Sequence, residues 1–293
     1  MNIIEVFKKF PTQEDCISYL EKVRWGSVPT CPYCGSDNST PLPKEQRHHC
    51  NNCNTSYSVT VGTIFHQTHL PLQKWFLAIS LVLNAKKGIA ARQLARDIEV
   101  HRNTAWRITM KIREAMSQRH QRELLTGLVE MDETFIGPRK PRREYPGQRF
   151  MDGSGNLKQP VVGMVEREGG VVAKMVGKRH LKSHKLNSLI RNYVDIERSV
   201  LITDQYKGYC HVRDFMPHRM VNHSVWYVAP DGITHTNTIE SFWALLKRGI
   251  AGQYHKVSLE HLPMYVDEFA YRFNNRNTED LFGLTVKRGL GVA

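Results

Sequence analysis

Two sets of residues in this sequence have the types and spacing to hold metal ions. The first is Cys31-Pro-Tyr-Cys34 and Cys50-Asn-Asn-Cys53, two C-x2-C pairs with 15 residues between them (35–49). Each pair folds as a tight knuckle that gives two thiolates to one tetrahedral ion, so the expected ligand is structural Zn2+. Disulfide pairing is the rival reading, and an intracellular chain disfavours it. His48 and His49 lie beside Cys50, but four thiolates leave them no necessary part. Cys16 and Cys210 fall outside the pattern and read as small core residues. The second set is acidic: Asp132 in Leu128-Val-Glu-Met-Asp-Glu-Thr-Phe-Ile-Gly137, Asp204 closing Ser199-Val-Leu-Ile-Thr-Asp204, and Glu240 in His235-Thr-Asn-Thr-Ile-Glu240. Hard carboxylate oxygens suit Mg2+ or Mn2+.

Three elements must carry those acids. Residues 128–137 and 199–204 read as strands, the second buried and ending in its acid. An acid at the end of an apolar strand is costly unless it is solvated, paired or bound to a cation. From 235 to 250, Ile239, Phe242, Trp243, Leu246 and Ile250 recur at steps of three and four, one face of a helix. Thr236 or Asn237 is the expected N-cap, which places Glu240 in the first turn, where the helix dipole favours a carboxylate. Lys247 and Arg248 follow one to two turns later and suit a phosphate. By strand period Glu130 points the same way as Asp132, making it a candidate auxiliary ligand, and Glu133 points the opposite way. Asn237, as a cap or a contact to metal-bound water, and His235, near a scissile phosphate, are further candidates.

A strand Asp, a strand-end Asp and a helical Glu after 35 intervening residues (205–239) resemble the DDE triad of transposases and retroviral-type integrases. The words Val-Glu-Met-Asp-Glu-Thr, Thr-Asp-Gln-Tyr-Lys-Gly-Tyr and His-Thr-Asn-Thr-Ile-Glu-Ser-Phe-Trp resemble bacterial insertion-sequence transposases with an N-terminal zinc ribbon, and the resemblance spans nearly the whole chain. It implies an α/β catalytic domain of RNase H-like type, a mixed sheet with helices on both faces; periodicity alone gives only a mixed α/β domain. It also implies two Mg2+ or Mn2+ ions held by Asp132 and Asp204, with Glu240 completing one site. The same centre would use water to free a transposon 3′ end, then use that 3′ hydroxyl to attack target DNA. The partners implied are double-stranded element ends and target DNA, bound by a homo-oligomer in the bacterial cytoplasm at the nucleoid. The alternative is a DNA-binding regulator that kept the fold and lost the chemistry. A stand-alone nuclease of the same fold fits less well, having little need of a sequence reader.

The rest of the chain agrees with a polyanionic partner. In 293 residues, 41 Lys and Arg against 28 Asp and Glu leave +13, an excess whose simplest partner is nucleic acid. No run of 18 apolar residues and no signal peptide argue against a membrane. No Gly-rich phosphate loop and no Ser-His-Asp arrangement is present. Residues 90–98, a turn at 99–101 and 102–116 have helix-turn-helix spacing. Leu94, Ile98, Val100 and Trp106 are the expected packing residues, while Arg102, Asn103, Arg107 and Lys111 face outward with donors for phosphates and bases. Arg139, Arg142 and Arg143 lie in a basic Pro/Gly-rich loop (138–159) suited to a DNA backbone. The expected domains are an N-terminal helix (1–27), the ribbon (28–62), the helix-turn-helix region (63–127), the catalytic domain (128–252) and a helical tail (253–293). The strand 218–228 and the helix 259–276, covering the sheet, complete the expectation.

Overall fold

The computed structural model describes residues 1–117, 123–137, 158–177 and 181–292. The chain divides into two compact units, one of residues 1–117 with 277–293, the other of residues 118–276.

In the first unit, α1 (Ile3–Lys9) and α2 (Gln13–Trp25) both begin in capping boxes, Asn2 with Glu5 and Thr12 with Asp15. A three-stranded antiparallel ribbon follows: β1 (Ser39–Leu42), β2 (Arg47–Cys50) and β3 (Thr55–Tyr57). Then come α3 (Leu72–Asn84), entered through Pro71, and the helix-turn-helix pair α4 (Ala91–Asp97) and α5 (Arg102–Ala115). Leu94 and Ile98 are buried as expected, but Trp106 is 41 % exposed. Ala105, Ile108 and Ile112 supply the inward face of α5 instead, a stripe at steps of three and four that leaves position 106 on the outer side.

The tail expected as one piece is divided between the units. In the second unit α8 (Leu262–Asn274) lies on the sheet, and α9 (Leu281–Gly289) belongs to the first. There Phe282 meets Phe10 and Phe76, and the Gly289 carbonyl accepts from Ile64 N–H.

The second unit is a five-stranded mixed sheet in the order β6-β5-β4-β7-β8, made of β4 (Leu125–Ile136), β5 (Gln159–Glu166), β6 (Val171–Met175), β7 (Val194–Thr203) and β8 (His218–Met220). The first three strands form an antiparallel meander, and β7 and β8 join parallel to β4. On one face Val129, Met131, Val162, Met164 and Leu201 pack on α6 (Ser183–Tyr193). On the other, Val161, Val165 and Val171 pack on α7 (Asn237–Arg248) and α8. This is the RNase H-like arrangement, a meander extended by parallel strands with helices on both faces. The strand expected over 218–228 stops at Met220: from Asn222 the backbone turns, with Val225 and Trp226 N–H both donating to the Asn222 carbonyl.

Candidate active site

In the ribbon, the residue after each cysteine pair has positive φ, Gly35 at 75° and Asn54 at 54°. That left-handed step lets each knuckle close; glycine takes it freely and asparagine more readily than most residues. All four sulfurs lie within 4.8 Å of one another. Cys31 and Cys53 Sγ are 3.7 Å apart, and Cys34 and Cys50 Sγ 3.5 Å apart. A tetrahedron with Zn–S near ~2.3 Å has edges of ~3.8 Å, so the thiols fit zinc with little movement. Both histidines are engaged elsewhere. His48 Nε2 donates to Glu21 Oε1 at 2.8 Å, between the Trp25 and Tyr57 rings, and His49 meets Ser56 and Asn54.

On the sheet, the register sets the acids. Parallel pairing of Glu130 with Ile202, continued by two residues, puts Asp132 beside Asp204. Val129, Met131 and Leu201 point to the α6 face, so Glu130, Asp132 and Asp204 point to the α7 face. Burial raises the Asp132 carboxyl to about 6, with the charges of Asp204 and Glu240 acting in the same direction. Asp132 therefore lies within electrostatic reach of both other acids. Asp204 Oδ1 accepts from Tyr206 N–H at 2.9 Å. Glu240 Oε1 accepts from Thr236 Oγ1 at 3.1 Å, and Thr236 Oγ1 accepts in turn from His223 Nε2 at 3.0 Å.

Two contacts that pattern reasoning missed, one through Trp243 of the apolar helical face and one through Gly163, seat α7. Trp243 Nε1 donates to Asp132 Oδ2 at 3.0 Å. Gly163 is the cross-strand partner of Asp132, and a Cβ there would come within 2.5 Å of Trp243 Cζ2 and 2.9 Å of Ile239 Cδ1. The helix lies this close because position 163 has no side chain. A Gly amid the apolar run 161–165 was the available signal.

The expected side-chain cap of α7 is not made by its own residues. Thr236 occupies the cap position without a capping hydrogen bond, and Asn237 is exposed, its N–H donating to His235 Nδ1 at 3.3 Å. Glu130 takes the role from the neighbouring strand, accepting from Thr238 N–H at 2.8 Å and Ile239 N–H at 3.0 Å. His235 lies against Arg167 and Glu130. Glu133 points to the α6 face, where Tyr209 donates to it; burial raises its carboxyl to about 7, aided by Asp132 and Asp204. Arg102, Asn103, Arg107 and Lys111 are all exposed on α5, and Lys247 and Arg248 on α7. Arg139, Arg142, Arg143 and the loop around them lie outside the described residues.

Residues 124–274, just over half of the chain, match the ISXO2-like transposase domain. The chain belongs to that family. Residues 11–56 match a transposase zinc-ribbon domain, so this is an insertion-sequence transposase with an N-terminal zinc ribbon. The transposase is 26 % identical over 279 residues to a protein in transposable element ISH50 of Halobacterium salinarum, covering 90 % of this chain and 92 % of that one. Among solved structures it is similar to the Mos1 strand transfer complex (16 % identity, 73 % of this chain and 78 % of that chain, TM-score 0.32). It is also similar to a pre-cleavage Mos1 transpososome (15 %, 99 % and 95 %, TM-score 0.30). Among the described residues, no helix is long and apolar enough to cross a membrane.

Proposed function

We propose that this transposase cleaves DNA at the ends of its element and joins the freed 3′ ends to target DNA, with Asp132, Asp204 and Glu240 as the catalytic carboxylates. What supports this reading is that β4, which carries Asp132, runs parallel to β7, which leads into Asp204, while α7, with Glu240 in its first turn, is tied to Asp132 through Trp243. Two Mg2+ or Mn2+ ions, when bound, would activate the attacking oxygen and stabilise the leaving one. The donor set fits such ions. Trp243 Nε1 donates to Asp132 Oδ2 and Tyr206 N–H to Asp204 Oδ1, contacts that would orient the two carboxylates toward an ion. In the first step a water oxygen bonds to phosphorus and the 3′ oxygen leaves as the hydroxyl. In the second that hydroxyl attacks a target phosphodiester and displaces its 3′ oxygen. Exposed Arg102, Asn103, Arg107 and Lys111 on α5 are assigned to reading the element ends, with a second copy completing the assembly on DNA. Arg139, Arg142 and Arg143 are assigned to backbone phosphates.

The test uses labelled DNA carrying the inverted repeats that flank the gene, with magnesium, manganese or neither. Asp132→Asn, Asp204→Asn and Glu240→Gln should each keep end binding yet lower both cleavage and joining about a thousandfold, since losing an ion withdraws several kcal/mol of charge stabilisation. Wild-type protein that binds its ends and never cuts them with either metal would establish the regulator reading instead. Asn103→Ala or Arg107→Ala should weaken binding to the ends more than to random DNA, by about 1–3 kcal/mol per lost base contact; equal losses on both would move α5 out of the reading role.

A further inference from the structure

Glu130 is completely buried, in the middle of β4, two residues before Asp132. A charge in that position must be neutralised and hydrogen-bonded to be tolerated. Its partners come from two other segments, the turn after β5 and the start of α7. Oε1 accepts from Arg167 Nε at 2.7 Å and from Thr238 Oγ1 at 3.0 Å. Oε2 accepts from Thr238 N–H at 2.8 Å and Ile239 N–H at 3.0 Å. A carboxylate offers about four lone-pair directions, and four donors fill them. No direction is left for a cation, so the candidate auxiliary ligand of the sequence has another task.

Arg167 extends the cluster. Its Nη2 donates to the His235 carbonyl at 2.9 Å and lies 3.0 Å from His235 Nδ1, to which Asn237 N–H also points at 3.3 Å. With two N–H groups aimed at it, Nδ1 is the acceptor and the imidazole proton sits on Nε2. The segment entering α7 is therefore held by its carbonyl, its imidazole and its first amides at once.

We propose that Glu130 is a positioning residue for the metal centre: together with Arg167 it pins the first turn of α7 to β4, and so sets how far Glu240 stands from Asp132. Both catalytic acids are measured from this clamp. Asp132 lies two residues along the strand, about 6.6 Å on, and Glu240 lies one residue beyond Ile239 in the turn that Glu130 caps. The Trp243 bond to Asp132 makes a second tie one helical turn later. Between the two ties Glu240 cannot be carried away from the sheet by movement of the helix. This inference rests on the three acids being the metal centre.

The experiment uses the full-length, zinc-loaded protein and reads Mn2+ binding by EPR titration, together with the Mg2+ concentration that half-saturates end cleavage. Glu130→Gln keeps the shape and removes the charge. Arg167→Lys keeps the charge and removes the two-pronged grip. Both should raise the half-saturating Mg2+ concentration, Glu130→Gln by about ten- to a hundredfold, as for other residues that orient ligands. Excess Mn2+ should restore most of the maximal rate, an outcome that general loss of structure would not give. Thr238→Val removes a single hydrogen bond and should give a smaller shift in the same direction, even if Glu130→Gln folds poorly. If Glu130→Gln weakens metal binding while Arg167→Lys and Thr238→Val do not, Glu130 is itself a ligand and the proposal is overturned. Unchanged metal dependence in all three variants would overturn it equally. Failure of the wild-type chain to take up Mn2+ outside the ribbon would instead remove the three-acid reading, and the clamp's purpose with it.

Discussion

The four thiols of the ribbon and the three carboxylates of the sheet are both metal-ligand sets, and they are assembled in opposite ways. The thiols come from residues 31–53, on two knuckles of one small sheet, and their sulfurs already lie within 4.8 Å of one another. The carboxylates come from two strands and a helix spread over residues 132–240. Among the described residues no three carboxylates approach that closely. Thiols can lose their charge while they wait for a metal. On the sheet, burial first and the neighbouring acids second let Asp132 hold its proton up to about 6. The ribbon is a short segment with a small core of its own, so its ion is expected to supply much of its folding energy. The sheet folds on its own apolar faces, and Asp132 is carried into place by that packing.

The largest effect expected from this contrast is on the ribbon. Strong chelation, or Cys31→Ser or Cys53→Ser, should unfold residues 28–57, because zinc supplies about 10 kcal/mol or more to such sites. Hydrogen exchange should then rise across β1–β3 while the sheet of the second unit keeps its protection. Protection retained in the ribbon without zinc would erase the distinction. Next in size, Gly163→Ala should push Trp243 and α7 outward. Overpacking of this kind costs about 1–3 kcal/mol, and thermal melts should drop while metal-dependent cleavage falls with them.

A smaller effect separates the two centres by pH. In the folded chain Asp132 and Glu133 hold protons up to about 6 and about 7, above the ordinary carboxylate range of the unfolded state. Their contribution to stability is therefore full below about pH 4 and is lost as pH rises through those folded values. Melting temperature in magnesium-free buffer should fall between about pH 4.5 and 7, and Glu133→Gln should flatten the upper part of that slope. A flat profile would mean that the acids are solvated. The smallest effect is expected for Trp243→Phe below about pH 6, which keeps the ring in the core and removes one hydrogen bond to a protonated Asp132, worth about 1 kcal/mol. It should weaken Mn2+ binding more than it lowers the melting temperature.

The parts legible in the sequence are those that local pattern controls. The cysteine spacing, the apolar face of α7 and the strand-end acid each declare themselves within a few turns of chain. The use of Glu130 was hidden because it depends on which helix N-terminus the strand meets, a tertiary pairing that strand period does not contain. The period did give its side correctly. An acid between buried Val129 and Met131 announced only that some partner was required. Gly163 announced a close approach by its place in an apolar run, but what approaches it depends on lying opposite Asp132 and under Trp243. Trp106 misled because a large aromatic in an amphipathic pair is expected inside, whereas the helical stripe through Ala105, Ile108 and Ile112 leaves it on the surface.

The return of α9 to the first unit has a consequence for synthesis. Residues 118–276 are made in one stretch, and every strand of the sheet and α8 precede α9 in the order of synthesis. The first unit is begun first and finished last: Phe10, Phe76 and Ile64 wait for Phe282 and Gly289 through the whole translation of the catalytic unit. A product that stops short of residue 277 therefore carries a finished sheet beside an unfinished N-terminal unit, with the aromatic contacts of Phe10 and Phe76 to Phe282 unmade.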